Sequence, residues 1–168
     1  MPTRAKQPSD RRSAAEPAPY VTLKWRNVPL PEAHIIALFA GGALQLLKPQ
    51  AITTANAVLA RAAGALLLGA GLALAGWSVA AAGDDVMDEA NLLLTNGPYG
   101  ISRNPMYLAW TFIVLGLGFL VNSVWVLGLI PFALVYLHLI EIPREEARLE
   151  ETFGEEYLGY KRRVRKYL

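Results

Sequence analysis

Apolar and charged stretches divide this chain sharply. No Asp, Glu, Lys or Arg stands between Arg61 and Asp84, nor between Arg103 and Glu141. A helix needs about 20 apolar residues to cross a hydrocarbon core about 30 Å thick. The first stretch suits one crossing, from about Ala57 to Ala82. The second is too long for one and divides at Asn122-Ser123 into crossings at 105–121 and 124–140. Two apolar helices with so short a link form an antiparallel hairpin. A further run, Ala33 to Leu47, follows the start signals Pro29, Pro31 and Glu32. It is short and holds His34 and Gln45, so it is either a first crossing or a helix lying partly in the interface. Helices of a water-soluble protein keep a polar face, which these runs lack. The expected fold is all-α: a polytopic membrane helical bundle of about four transmembrane helices with a C-terminal cytoplasmic helical segment.

The polar intervals fill in the plan. Residues 1–28 read as a disordered basic tail followed by an interfacial segment with Tyr20, Lys24, Trp25 and Arg26. Residues 29–168 form the expected membrane domain. Thr53, Thr54 and Asn56 are capping candidates before the second crossing. That crossing carries Gly64, Gly69, Gly71 and Gly76, small residues that let membrane helices approach closely, and it is expected at the centre of the bundle. Pro131 and Pro143 should each loosen a turn. Beyond the last crossing, Glu141, Arg144, Glu145, Glu146 and Arg148 have helical spacing, and Phe153-Gly154 ends that segment. The tail from Glu155 onward is amphipathic and is expected to rest on the membrane surface.

Composition agrees with a membrane protein. Charged residues make up 18 % of the chain, against about a quarter in soluble domains. The net charge of +2 is too diffuse for nucleic acid; the basic residues gather at the two ends, which suits anionic headgroups. Four crossings place both ends on one side, and the positive-inside rule makes that side cytoplasmic, in the inner membrane of the cell. The 83–104 loop falls on the same side. With no cysteine, thiol nucleophiles and Cys-ligated metals are excluded. The first 20 residues lack the apolar core of a signal peptide.

Three polar groups could carry chemistry. The densest runs from Asn96 to Tyr107 and joins turn formers to Arg103, Asn104 and two phenols at a membrane boundary. A helix-start turn with an interfacial anchor would account for Pro98, Tyr99 and Pro105, but does not require Arg103 and Asn104 together. The second is Glu141, Glu145 and Glu146, which is either a solvated continuation of the helix or a set of carboxylates for a ligand bearing a cation or free hydroxyls. The third is Gly116-Leu117-Gly118, a weak signal whose simpler meaning is helix packing. His138 is an interior hydrogen-bonded histidine or, as an ionisable group near the membrane, part of a site. His34 and His138 have no companion ligands at metal-binding spacing, and no metal site is expected.

Several of these motifs occur together in a telling order: Asn96-Gly97-Pro98-Tyr99, Arg103-Asn104-Pro105-Met106-Tyr107, Glu145-Glu146, Phe153-Gly154-Glu155-Glu156-Tyr157, then Tyr160 and Arg163-Val164. Over residues 57–168 the chain thereby resembles the superfamily of isoprenylcysteine carboxyl methyltransferases and phospholipid methyltransferases. Many members have His where this chain has Asn104. The resemblance implies an integral membrane enzyme that uses S-adenosylmethionine at the cytosolic face, enclosed by the C-terminal part of the chain. It implies Arg103, Asn104 and Tyr107 as catalytic residues. It implies Gly97, Pro98, Tyr99, Gly116, Gly118, Glu145, Glu146 and Tyr157 as cofactor-binding residues, and His138 joins them as an ionisable group near the membrane.

The implied reaction is methyl transfer to a membrane lipid or lipophilic small molecule through a carboxylate, thiol or amine. Because the sulfonium is already an activated leaving group, the protein mainly positions two reactants, in keeping with the lack of a catalytic dyad in the sequence. Two alternatives remain at this stage: a membrane reductase of related architecture using NADPH, and a non-enzymatic assembly or transport protein. The sequence leaves the oligomeric state open.

Overall fold

The structure, a computed structural model, describes residues 31–53, 56–82 and 93–167. The expectations for the tail 1–28, for Thr54 and for residues 83–92 of the polar loop lie outside these. Four apolar helices make the body: α1 (Glu32–Leu47), α2 (Ala57–Ala82), α3 (Pro105–Leu120) and α4 (Val124–Tyr136). A 3-10 turn at Gly97–Gly100 precedes α3. A π-helical turn, Leu137–Glu141, carries α4 into α5 (Ile142–Phe153), and α6 (Glu155–Arg163) follows. Pro143 explains the widened turn. It has no N–H for the helical ladder, and its ring crowds the carbonyl one turn back, so the preceding turn opens.

The α3–α4 hairpin forms at the expected dipeptide. Asn122 takes the left-handed conformation, φ 52°, which its short polar side chain tolerates. The Ser123 hydroxyl accepts from Val126 N and so caps α4. The Asn122 amide also ties the α1–α2 connection down: Oδ1 accepts from Ile52 N and Thr53 N, and Nδ2 donates to the Thr53 carbonyl at 2.7 Å.

The central helix is α3, with Met106, Tyr107, Ala109, Ile113 and Val114 buried along it. This corrects the central placement expected for α2. The small-residue stripe of α2 has one face only. A Cβ on Gly64 would lie 2.8 Å from the Gly116 carbonyl oxygen, and one on Gly71 2.8 Å from that of Ala109. Gly69 and Gly76 face open space. α1 packs antiparallel on α4, with Ala33 and Ala37 against Ala133, and Gly41 against the Val126 backbone.

The outer surface is apolar: Phe39, Leu46, Val58, Leu66 and Phe132 are all more than two-thirds exposed. A soluble monomer rarely shows so much apolar surface. Ala57–Ala82 and the continuous rod Val124–Phe153 are each long and apolar enough to span a bilayer; α1 and α3 are apolar but shorter. The molecule is an all-α bundle placed in a membrane. The start of α1, the end of α2, the start of α3 and the end of α4 share one end of it.

Candidate functional site

At that shared end the chain gathers its polar side chains. Gly97 takes φ 55° and fits closely against Ala81 and Trp77, where a Cβ would lie 2.8 Å from the Ala81 Cβ. The 3-10 turn that follows buries Pro98, whose carbonyl accepts from Ile101 N and Ser102 N. Pro105 then opens α3, at the first position where a missing N–H costs nothing. Arg103 and Asn104 are thus held on a short rigid link between two elements.

The C-terminal segment returns to this link. Arg103 N donates to the Arg165 carbonyl at 2.9 Å, and the Asn104 side chain donates to the Lys166 carbonyl at 2.9 Å. Ser102 Oγ reaches the same carbonyl at 3.3 Å. Tyr157 and Tyr160, one turn apart on α6, bury their rings here, and the Tyr160 hydroxyl donates to the Tyr99 carbonyl at 2.7 Å. Gly154, at φ 51°, makes the reversal that brings α6 back. The aromatic side of the expected amphipathic tail covers the site, where the 3-10 turn offers it a carbonyl acceptor.

Arg103 and Glu146 form the core of the site, with Nη1 and Oε1 2.9 Å apart. Their side chains are only 10 % and 14 % exposed, so water screens them weakly. The contact is close but is not aligned as a hydrogen bond: both Glu146 Oε1 and Arg103 Nε are buried without a directed partner. Lys161 and Lys166 approach Glu146 at 3.6 and 3.7 Å. Arg103 also donates to the Tyr157 hydroxyl at 3.3 Å. Glu145 accepts from the Tyr107 hydroxyl at 2.9 Å. The two acids therefore serve the same cleft, although adjacent helical residues point about 100° apart: Tyr107 bridges that angle from α3.

Burial sets the phenols. It pushes Tyr99 up to about 12, with Glu145 adding to the shift, and Tyr160 up to about 12 against the pull of Arg103. Tyr157 is raised by burial and then by Glu146, with Arg103 opposing. All three are neutral hydrogen-bond donors at physiological pH.

Arg103, Asn104, Glu145, Glu146, Tyr157 and Tyr160 line a cleft of about 20 Å³, enough for about one water. Of the residues singled out by sequence, Arg103, Asn104, Tyr107, Glu145, Glu146 and Tyr157 come together. Tyr99 joins them through its carbonyl, and Gly97 and Pro98 shape the turn beneath. Gly116 and Gly118 are elsewhere. They lie three or more helical turns along α3 from its start beside Arg103, more than about 15 Å, and meet α2 and α4 respectively. His138 is exposed, not interior; its Nδ1 lies 2.8 Å from the Tyr167 hydroxyl, with the rings stacked. Sequence reasoning left Tyr160 and Lys161 out of the site. The spacing of Tyr157 and Tyr160 on one helical face was the available signal for Tyr160. The carbonyl of Lys166 had none.

A membrane helical bundle with a two-signed polar site at one end suits a lipid-modifying enzyme. The chain belongs to the phospholipid methyltransferase family, which it matches over residues 59–156. It is also similar to an uncharacterized protein of Haemophilus influenzae, 49 % identical over 61 residues, which are 36 % of this chain and 86 % of that one. No solved structure matches. The protein is an S-adenosylmethionine-dependent membrane methyltransferase, acting on a lipid or lipophilic acceptor. Nothing in the comparisons supports the reductase or the transport alternative.

Proposed function

We propose that the cleft between α3, α5 and α6 binds the amino-acid end of S-adenosylmethionine and presents its methyl group to an acceptor arriving from the bilayer. The observation carrying this reading is the meeting of Arg103, Glu146, Tyr157 and Tyr160, from three distant segments, at one end of the bundle. The ligand is a zwitterion there, and a cation and an anion with unspent hydrogen-bonding capacity match its carboxylate and ammonium. Glu146 would accept from the ammonium and Arg103 would hold the carboxylate. Asn104 and Tyr157 would fix the orientation of Arg103. The present cleft is too small for a nucleoside, so binding opens the Arg103–Glu146 contact and lifts α6.

When bound, the group supplies a methyl on a sulfonium, which needs no further activation. The protein's part is to align the acceptor, exclude water and, for an amine acceptor, take one proton. Glu145, already a hydrogen-bond acceptor toward Tyr107, is the carboxylate for that step.

The topology that accompanies this reading has four crossings, formed by α1 to α4, with residues 29–168 as one domain. Both chain ends, the α5–α6 segment and the site face the cytoplasm. The described chain begins and ends at one end of the bundle, as an even number of crossings requires.

Calorimetric titration of S-adenosylmethionine into detergent-solubilised protein tests the proposal. Micromolar affinity, about 8 kcal/mol, is expected, followed by label transfer into a lipid extract. Absence of saturable binding at millimolar ligand in folded protein would overturn it.

A further inference from the structure

One cation stands beside the cleft without a close bond of its own. Lys161 Nζ lies 3.6 Å from Glu146 Oε2, 3.7 Å from Glu150 Oε2 and 5.8 Å from the centre of the Tyr157 ring. Both oxygens lie beyond hydrogen-bond length, and the ring is near the outer limit of a cation–π contact. Helical spacing builds the place. Glu146 and Glu150 are one turn apart on α5, and Tyr157 and Lys161 are one turn apart on α6. The α6 helix thus lays its ring and its ammonium against both acids at once.

Two carboxylates and the face of a phenol make a seat for a compact ammonium. Glu146 and Tyr157 also line the cleft, so the seat borders it. A lysine suits a temporary occupant. Its stem is flexible and its charge is a point, whereas a guanidinium would fix itself by paired bonds. The Lys161 side chain is 36 % exposed, against 10 % for Arg103, so it can leave for water without crossing the interior. Glu150, itself largely open to solvent, keeps a partner for it at the rim.

We infer that Lys161 is a specificity-determining residue of the cleft: it occupies the ammonium seat at Glu146 and Tyr157, and yields it only to a ligand that brings an ammonium of its own. This rests on the cofactor reading of the cleft and deepens it. A ligand with an amino-acid end replaces one cation by another, and Glu146 stays neutralised throughout. A ligand without that end leaves Lys161 in place and gains nothing from the acid. The ordinary alternative is a lysine that merely ties α6 to α5, a partly solvated pair of small effect. It predicts a change in stability and none in the choice of ligand.

Calorimetry and lysine acetylation on the full chain in detergent separate these. The probes are S-adenosylmethionine, S-adenosylhomocysteine, which has the ammonium but no sulfonium, and methylthioadenosine, which has neither. Lys161→Met keeps the stem and removes the charge. It should tighten S-adenosylhomocysteine by about threefold to tenfold and leave methylthioadenosine unchanged. A general electrostatic effect on the sulfonium would favour S-adenosylmethionine alone. Lys161→Arg retains a cation and should tighten none of the three. In the wild type, saturating S-adenosylmethionine should raise acetylation of Lys161, mapped by mass spectrometry, relative to Lys48 beyond the far end of α1. Protection of Lys161 by the ligand, or unchanged or weaker S-adenosylhomocysteine binding in Lys161→Met, would overturn the inference and leave the cofactor reading standing. No saturable binding in wild type and variants alike would overturn both.

Discussion

Arg103 and Glu146 sit 2.9 Å apart although the whole α3–α4 hairpin lies between them in sequence. The contact follows from topology. α3 leaves the polar end of the bundle just after Arg103, Asn122-Ser123 turns the chain, and α4 with its π turn returns to that end just before Glu146. A nearly dry ion pair between such distant residues costs desolvation, which attraction alone offsets incompletely. Here Lys161, Lys166 and Tyr157 add to it, yet Arg103 Nε and Glu146 Oε1 still lack aligned partners. A purely structural pair would be expected to use those atoms.

Glu146→Gln keeps the shape and removes the charge. It should weaken S-adenosylmethionine binding by about tenfold to a hundredfold, since charge-assisted hydrogen bonds contribute about 1.5–3 kcal/mol. Arg103→Ala should do the same, and Asn104→Ala less, because its amide serves mainly to hold the Lys166 carbonyl. Glu145→Gln should bind nearly normally while methyl transfer to an amine falls. Calorimetry and label transfer on the four variants decide this; normal affinity in both Glu146→Gln and Arg103→Ala would remove the pair from the site.

The sequence carried the large features because they obey simple periodicities. Uncharged runs marked α2, α3 and α4, and Asn122-Ser123 marked the hairpin turn by its chemistry alone. What escaped it were relations between faces. Gly64 and Gly71 pack while Gly69 and Gly76 do not, a distinction set by which side of α2 meets α3. The tail was legible as amphipathic, but an amphipathic face does not name its partner; only the fold puts Tyr160 on the Tyr99 carbonyl. His138 looked interior from its position in an apolar run, yet its side chain points outward.

Gly116 belongs to a helix contact in this structure, and that can be tested. A Cβ there would lie 2.6 Å from Leu68 N and 2.8 Å from the Gly64 carbonyl oxygen, both backbone atoms that cannot swing aside. Gly116→Ala should cost about 1–3 kcal/mol by overpacking and lower the melting temperature, with S-adenosylmethionine affinity of the folded fraction unchanged. Gly69→Ala, in open space, should be neutral or slightly stabilising. A selective loss of affinity in Gly116→Ala at normal stability would return this glycine to the cofactor site.

The absence of native cysteine makes orientation directly measurable. Single cysteines at Leu93 and Tyr167 should react with a membrane-impermeant maleimide only after the cells are opened, and one at Val121, at the opposite end of α3, should react in intact cells. Labelling of position 93 from outside in intact cells would invert the proposed topology and move the site away from the cytoplasmic cofactor pool.

Alkaline pH should loosen α6 first, and Tyr160 gives the reason. Its phenol is pushed up to about 12 by burial, against about 10 in an unfolded chain. Below pH 10 both states keep the proton, so the stabilisation is fully present. Between about pH 10 and 12 the unfolded chain ionises while the folded one does not, and stability falls with rising pH. For a ring 3 % exposed, a shift of this size amounts to about 2–3 kcal/mol. Lysines titrate in the same window, so the wild-type curve alone is ambiguous, but a phenylalanine variant shares that background. Tyr160→Phe forfeits the hydrogen bond to the Tyr99 carbonyl, about 1 kcal/mol at neutral pH. In exchange it should decline less steeply between pH 10 and 12. Thermal unfolding of both proteins across that range, with tyrosinate absorbance followed in parallel, measures the difference. Parallel curves, with no late tyrosinate step missing from the variant, would show that Tyr160 is not held under α6 as the structure has it.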